Sequence, residues 1–105
     1  MGIFEVRYTP AARDDLLRLF DFLLERAQTA EDFDTAQEAI DAINAAVQRH
    51  LSRSPFIYRK AGSSPFLREL IIPYGSAGYV ALYEIEDADT VNILAIRHQW
   101  EDDYH

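Results

Sequence analysis

A chain of 105 residues is long enough for one domain with a hydrophobic core, although it has little length to spare. It contains no cysteine, which excludes a disulfide scaffold, thiol chemistry and any Cys-based zinc site. The formal net charge of −8 disfavours a nucleic-acid binder that works by neutralising phosphates over its whole surface.

Residues 3–8 alternate between apolar and charged side chains, the apolar ones being Phe4, Val6 and Tyr8. This period of two predicts a half-buried β-strand. A charge is present by position 5 and no long apolar run follows, so we expect neither a signal peptide nor a membrane span. A cytoplasmic protein is therefore expected.

Two amphipathic helices follow the first strand. Thr9 is a good N-cap and Pro10 suits the first helical position, which predicts a helix over residues 10–27. Thr29 and Asp32 have the spacing of a reciprocal capping box, and a second apolar stripe predicts a helix over residues 30–53. Because few residues join them, the helices should form an antiparallel hairpin.

The first helix carries two apolar residues, Leu17 and Phe22, beside its main stripe. They either widen the buried face or leave exposed apolar surface at a groove between the hairpin and the sheet edge. Phe22 lies about 100° from the centre of the stripe, so both are open, and we favour the wide buried face. An exposed pair would instead suit an amphipathic helix of a partner.

The second half of the chain reads as a meander of strands. Residues 55–66 form a loop or a very short strand, and β-branched and aromatic residues then predict strands over residues 67–73, 78–86 and 90–97. Turn residues fill the short gaps, so the strands should be antiparallel neighbours. The near-continuous apolar runs suit strands covered on both sides. Residues 98–105 have no period and form a tail.

The order strand, helix hairpin and three or four strands predicts an α+β domain of two layers over residues 1–105. In this β-α-α-β-β-β(-β) arrangement the helix hairpin packs on one face of a small antiparallel sheet. Arg68 is expected to pair with a carboxylate on a neighbouring strand, such as Glu84. Three histidines without a matched spacing do not predict a metal site, and no motif calls for a cofactor.

Three local sequences resemble a known family. They are the opening Val6-Arg-Tyr-Thr-Pro-Ala-Ala-Arg-Asp-Asp-Leu16, the segment Arg68-Glu-Leu70, and the final pair of strands ending in Arg97-His98. In their order and spacing they resemble the RelE/ParE superfamily of type II toxin–antitoxin toxins, in particular the ParE-like, plasmid stabilisation branch. The resemblance spans nearly the whole chain.

The resemblance implies a toxin that binds DNA gyrase, blocks replication and inhibits growth, and that a ParD-like antitoxin holds inactive in a hetero-oligomeric complex. Such a toxin has no covalent chemistry of its own. We expect the gyrase-facing surface at the end of the last strand, where a large aromatic side chain stands in an acidic segment: Arg97, His98, Gln99 and Trp100.

Two alternatives stay open. A RelE-like toxin would cleave mRNA in the ribosome, with Arg68 and Arg97 on the phosphate and His98 or Tyr104 transferring protons. The acids at 101–103 argue against this endoribonuclease, because they would repel RNA. An inactive relative that only binds an antitoxin is the other alternative. Gyrase inhibition would distinguish the ParE-like reading, mRNA breaks would distinguish the RelE-like reading, and the absence of growth arrest would distinguish the inactive relative.

Overall fold

A computed structural model of the chain describes residues 3–75 and 77–99. Its elements in chain order are β1 (Glu5–Tyr8), α1 (Pro10–Glu25), α2 (Ala30–Leu51), β2 (Arg59–Lys60), β3 (Leu67–Tyr74), β4 (Ala77–Ile85) and β5 (Thr90–His98). The predicted two-layer α+β fold is confirmed, with the helix hairpin packed on a five-stranded sheet. In the described part of the chain no helix is long and apolar enough to cross a membrane.

Both helix starts have the predicted caps. The Thr9 hydroxyl accepts a hydrogen bond from the Ala12 N–H at 3.2 Å, and Pro10 is the first residue of α1. At α2 the capping box is complete, because Thr29 Oγ1 accepts from the Asp32 N–H while Asp32 Oδ2 accepts from the Thr29 N–H. These bonds satisfy donors that have no partner inside a helix.

The sheet is mixed, with the strand order β1-β5-β4-β3-β2. The antiparallel arrangement predicted from the short gaps holds for β2 to β5. β1 lies at the opposite edge and pairs in parallel with β5, from Glu5 beside Thr90 to Tyr8 beside Ile93. The helix hairpin and the meander separate these two strands in sequence, so no short turn constrains them to be antiparallel.

The β3–β4 hairpin is tighter than its turn residues predict. β3 extends through Pro73 to Tyr74, and two residues connect it to β4. Gly75 there has a φ of +61°, a conformation that costs glycine little. Pro73 is tolerated in the strand because β2 pairs only with the other end of β3, which leaves this part of the edge free.

The core lies between the hairpin and one face of the sheet. Both helices and alternate residues of β3, β4 and β5 contribute to it: Ala12, Leu19, Ile43, Val47, Leu51, Leu70, Ile72, Tyr79, Ala81, Tyr83, Ile85, Val91, Ile93 and Ile96. The expectation of strands covered on both sides was wrong for the described residues, which place both helices on this face. On the open face Ile71 remains 42% exposed, and Val80 is buried between the neighbouring strands.

Candidate functional site

A β-bulge in β5 decides how this strand presents its C-terminal side chains. The pairing of β4 with β5 slips by one residue after Leu82, so that Leu94 has no partner on β4. The extra residue shifts the alternation by one position, and Ile93 and Ile96 therefore both enter the core. Residues beyond the bulge point to the faces opposite to those that uninterrupted alternation would give them.

Helix α1 holds this end of β5 where β1 stops. The Thr9 hydroxyl donates to the Ile93 carbonyl at 2.7 Å, and Asp15 Oδ2 accepts from the Ile96 N–H at 2.9 Å. Asp15 is only 3% exposed, and Arg18 Nη2 lies 3.8 Å from its second oxygen. The carboxylate thus replaces the strand that would otherwise pair with this edge of β5, and it fixes the bulged strand to the helix.

Sequence reasoning missed Asp15. The signal was its position, because Asp15 lies three residues after Ala12 and four before Leu19, on the apolar stripe itself. A charged residue at such a position is rarely buried unless it has a partner. Its partner is a backbone N–H on a strand 81 residues away, which helical periodicity does not reveal.

Arg97 lies on the open face of the sheet. Its side chain is 13% exposed, and Nη2 lies 4.0 Å from Glu69 Oε2. Glu69 also accepts a hydrogen bond of 2.8 Å from Arg59 Nε, so one carboxylate lies between two arginines. The neighbouring side chains on this face are apolar: Ile71, Val80, Leu82 and Ala95. On this face Arg97 is therefore a cation among apolar side chains.

His98 lies on the helix-facing side of the sheet. Its ring contacts Tyr79 edge-on, with 5.5 Å between the ring centroids. Both residues line a groove of about 530 Å³ together with residues of α1: Arg18, Leu19, Phe22, Leu23 and Arg26. Burial, and secondarily the neighbouring Tyr74, raise the pKa of Tyr79 above its ordinary value. Tyr79 is thus a neutral residue in a groove that Arg18 and Arg26 also line.

Arg68 ties the loop before β3 to the sheet. Its guanidinium donates to the backbone carbonyls of Pro65 at 2.7 Å, Phe56 at 2.9 Å and Tyr58 at 2.7 Å. It also lies 5.6 Å from the centroid of the Phe56 ring. The expected partner, a carboxylate such as Glu84, is replaced by these carbonyls, because the loop turns back over the start of β3. Arg68 therefore has a structural task here.

The sheet keeps the three described candidate nuclease residues from converging. Arg68 pairs with Tyr83, Arg97 with Val80 and His98 with Tyr79 on β4. Positions 80 and 83 differ by an odd number of residues, so the two arginines lie on opposite faces. His98 shares a face with Arg68 but pairs four residues further along β4, about 13 Å away. Tyr104 lies outside the described residues.

Of the other two candidates at the end of β5, the structure describes Gln99. Gln99 is exposed, and its N–H donates to the Gly78 carbonyl at 2.8 Å. Trp100 lies outside the described residues, as does the rest of the predicted tail. Within residues 3–75 and 77–99 no group of three His, Asp or Glu side chains could hold a metal ion.

The apolar pair on α1 is exposed, and the preference for a wide buried face was wrong. Leu17 is 62% exposed and Phe22 is 46% exposed. The sheet contacts α1 through Leu19 and its neighbours one turn away, so these two side chains extend past the rim of the core. The Arg26 guanidinium lies 4.3 Å from the centroid of the Phe22 ring, which adds a cation to this apolar surface.

Comparison with protein families gives one match over nearly the whole chain. Residues 6–103 match the family model described as the ParE toxin of the type II toxin–antitoxin system parDE. Toxin RelE3 of Caulobacter vibrioides is 36% identical over 96 residues, which cover 91% of this chain and 95% of that protein.

Comparison with solved structures supports the same fold. The chromosomal ParDE toxin–antitoxin system from P. aeruginosa contains a chain that superimposes with a TM-score of 0.71 at 18% identity, over 91% of this chain and 96% of that one. The RelBE2 toxin–antitoxin complex from Mycobacterium tuberculosis gives a TM-score of 0.56 at 22% identity, over 93% of this chain and 99% of that one.

Proposed function

This chain belongs to the ParE toxin family, within the RelE/ParE superfamily of type II toxin–antitoxin toxins, and from that membership we propose that it inhibits DNA gyrase. In this proposal the protein binds gyrase, performs no covalent chemistry and thereby blocks replication. A ParD-like antitoxin neutralises it in a hetero-oligomeric complex.

The observation that carries the proposal is the separation of the candidate catalytic side chains. Cleavage of RNA needs a base, a proton donor and a phosphate-neutralising cation within hydrogen-bonding reach of one phosphodiester. Arg97 lies on one face of the sheet, whereas Arg68 and His98 lie at separate places on the other. This arrangement supports an inhibitor that acts by binding.

The gyrase-facing surface is assigned to the end of β5, at Arg97 and Gln99. Arg97 is mostly buried among apolar neighbours, and Glu69 holds its guanidinium. Arginines that are desolvated and held in this manner contribute strongly to protein–protein interfaces. Glu69 offsets only part of the charge of Arg97 and Arg59, and the net charge of −8 of the whole chain disfavours polyphosphate as the partner of this face.

The antitoxin is assigned to the exposed surface of α1. Phe22 lines the groove together with Arg18 and Arg26, and Leu17, five residues before it, lines a shallower surface that it shares with Arg18 and Phe22. Exposed apolar side chains beside arginines suit an amphipathic partner segment with acidic side chains. The two solved relatives are described as a ParDE system and a RelBE2 complex, which supports an antitoxin as this partner.

A gyrase supercoiling assay tests the proposal. The purified chain should block supercoiling or trap cleaved DNA, and Arg97→Ala should weaken the inhibition at least about tenfold, as expected for an interface hot spot. Leu17→Ala is the matched control, because it lies on the surface assigned to the antitoxin and should leave gyrase inhibition unchanged. Unaffected supercoiling with the folded wild-type chain would contradict the proposal.

An mRNA endoribonuclease acting in the ribosome is the second candidate, because the relative with 36% identity is named a RelE toxin. Growth arrest with codon-placed mRNA breaks and unaffected gyrase would establish it, with Arg97 and His98 as the first residues to substitute. Absence of growth arrest on expression of the chain without antitoxin would favour an inactive antitoxin-binding relative over both.

A further inference from the structure

Asp15 accepts its hydrogen bond from an amide that faces α1 only because β5 is bulged. The Ile93 carbonyl accepts from the N–H of the residue before α1, so Ile93 directs its backbone groups towards this edge of the strand. In an uninterrupted strand Ala95 would do the same, because successive residues direct these groups to opposite edges. The bulge turns the Ile96 N–H to this edge instead, and Asp15 Oδ2 accepts it at 2.9 Å. The bond is therefore specific to the bulged register.

The bulge also decides on which face Arg97 lies. In the observed pairing Arg97 is opposite Val80, on the open face of the sheet. If the pairing of residues 91–93 continued without the slip, Arg97 would be opposite Tyr79 and would face the helices. The two registers thus place this guanidinium on opposite sides of the sheet.

Two side chains favour the bulged register from different sides of the strand. Ile96 is fully buried in the core, and without the bulge the smaller Ala95 would take its place and leave the space underfilled. Asp15 acts at the strand edge, where β1 pairs only as far as Ile93. Asp15 is 3% exposed, so it is too buried to touch a partner protein, and water has little access to its bond with β5. It thus holds the backbone directly before Arg97.

We propose that Asp15 is a positioning residue for the contact with gyrase. By accepting the Ile96 N–H it holds the bulged end of β5, so that Arg97, the next residue, stays on the open face. Glu69 holds the other end of this side chain, with 4.0 Å between Arg97 Nη2 and Glu69 Oε2. Arg97 is thus ordered before its partner arrives, which lowers the entropy cost of binding. This inference rests on the proposed function, because it takes Arg97 as a gyrase contact.

A graded series at position 15 is the first test. Asp15→Ala removes the acceptor, whereas Asp15→Asn retains an oxygen that can accept the same N–H. Per folded molecule, Asp15→Ala should require at least about threefold more protein for half-inhibition of supercoiling, as expected when binding must immobilise one more side chain. Asp15→Asn should lie between this variant and the wild-type chain. Urea unfolding gives the folded fraction of each chain.

Thr29→Ala is the matched control for stability. It removes the acceptor of the Asp32 N–H at the start of α2 and should leave inhibition per folded molecule unchanged. A merely structural Asp15 would behave in the same way, so equal inhibition by folded wild-type and Asp15→Ala chains would overturn the proposal. A comparable loss with Thr29→Ala would overturn it as well, since inhibition would then follow stability in general.

Amide exchange measured by NMR is the second test and does not involve gyrase. In Asp15→Ala the Ile96 amide should exchange faster relative to the amides of residues 91–93, which β1 covers, whereas Thr29→Ala should leave this ratio unchanged. A purely global loss of stability accelerates both groups equally. An unchanged ratio in Asp15→Ala would refute the positioning role even if the wild-type chain inhibits gyrase. A raised ratio together with unaffected supercoiling by the wild-type chain would instead refute the proposed function and the gyrase contact of Arg97, while the hold of Asp15 on β5 would stand.

Discussion

At the scale of single residues, Asp15 is the side chain whose loss should affect folding most for its size. Asp15→Ala removes the only acceptor described for the Ile96 N–H and leaves that buried donor unsatisfied. We expect the free energy of unfolding to fall by about 1–3 kcal/mol. Asp15→Asn retains an acceptor oxygen and should lose less. Urea unfolding at neutral pH measures both.

Asp14→Ala is the control for Asp15, because the neighbouring carboxylate is exposed and should change stability by less than about 0.5 kcal/mol. Equal losses at positions 14 and 15 would show that the hydrogen bond to β5 contributes nothing specific.

Buried tyrosines predict a loss of stability in alkali. Burial raises the pKa of Tyr8 to about 12 and that of Tyr83 above its usual range, from an ordinary value of 10. Below pH 10 both states keep these protons, so stability is constant. Above it the unfolded chain ionises first, and stability falls until the pH passes the folded-state pKa.

Tyr83→Phe tests whether buried tyrosines cause the loss of stability in alkali. At pH 7 the variant should be less stable by about 1 kcal/mol, because the hydroxyl donates to the Pro55 carbonyl at 2.6 Å. Between pH 9 and 11 its further loss should be smaller than that of the wild-type chain, since one ionising group is gone. Identical alkaline losses in urea unfolding would contradict the assignment.

At the scale of elements, the capping box of α2 is a local arrangement whose contribution to the free energy of unfolding can be measured separately. Thr29→Ala removes the acceptor for the Asp32 N–H and should destabilise the chain by about 1 kcal/mol. Thr35→Ala is the matched control: Thr35 is exposed and bonds the carbonyl of Glu31 within the helix, and alanine has the higher helix propensity. Thermal unfolding compares the two variants, and a Thr35→Ala loss as large as that of Thr29→Ala would refute the assignment.

The same scale shows what could be predicted from the sequence. Helices, caps and hairpin strands depend on neighbours a few residues apart, so the patterns around Thr9, Pro10 and Thr29 gave them correctly. The bulge at Leu94 shifts the alternation without a distinctive residue, and it alone sends His98 to the helix side. The parallel place of β1 and the burial of Asp15 arise from contacts more than 80 residues apart, which no local pattern encodes.

At the scale of the whole molecule, one face of the sheet serves folding and the other face is available for recognition. Its helix-facing side carries the core, and at its end Arg68 holds the loop to β3. Its open side carries no described helix and presents Arg97 among apolar residues. The α1 surface lies outside both. A small domain with a net charge of −8 can thus offer two protein contacts without attracting nucleic acid.

This division predicts opposite phenotypes for the two arginines. Arg68→Ala frees three carbonyls from their donor and should lower the free energy of unfolding by about 2 kcal/mol, while the folded fraction keeps its gyrase inhibition. Arg97→Ala should lose inhibition at a smaller cost in stability than Arg68→Ala, because Glu69 retains Arg59 as its partner. Urea unfolding and supercoiling assays on both variants measure the two effects. Loss of gyrase inhibition by a fully folded Arg68→Ala would contradict the structural role of Arg68 and would extend the gyrase-facing surface to the helix-facing side of the sheet.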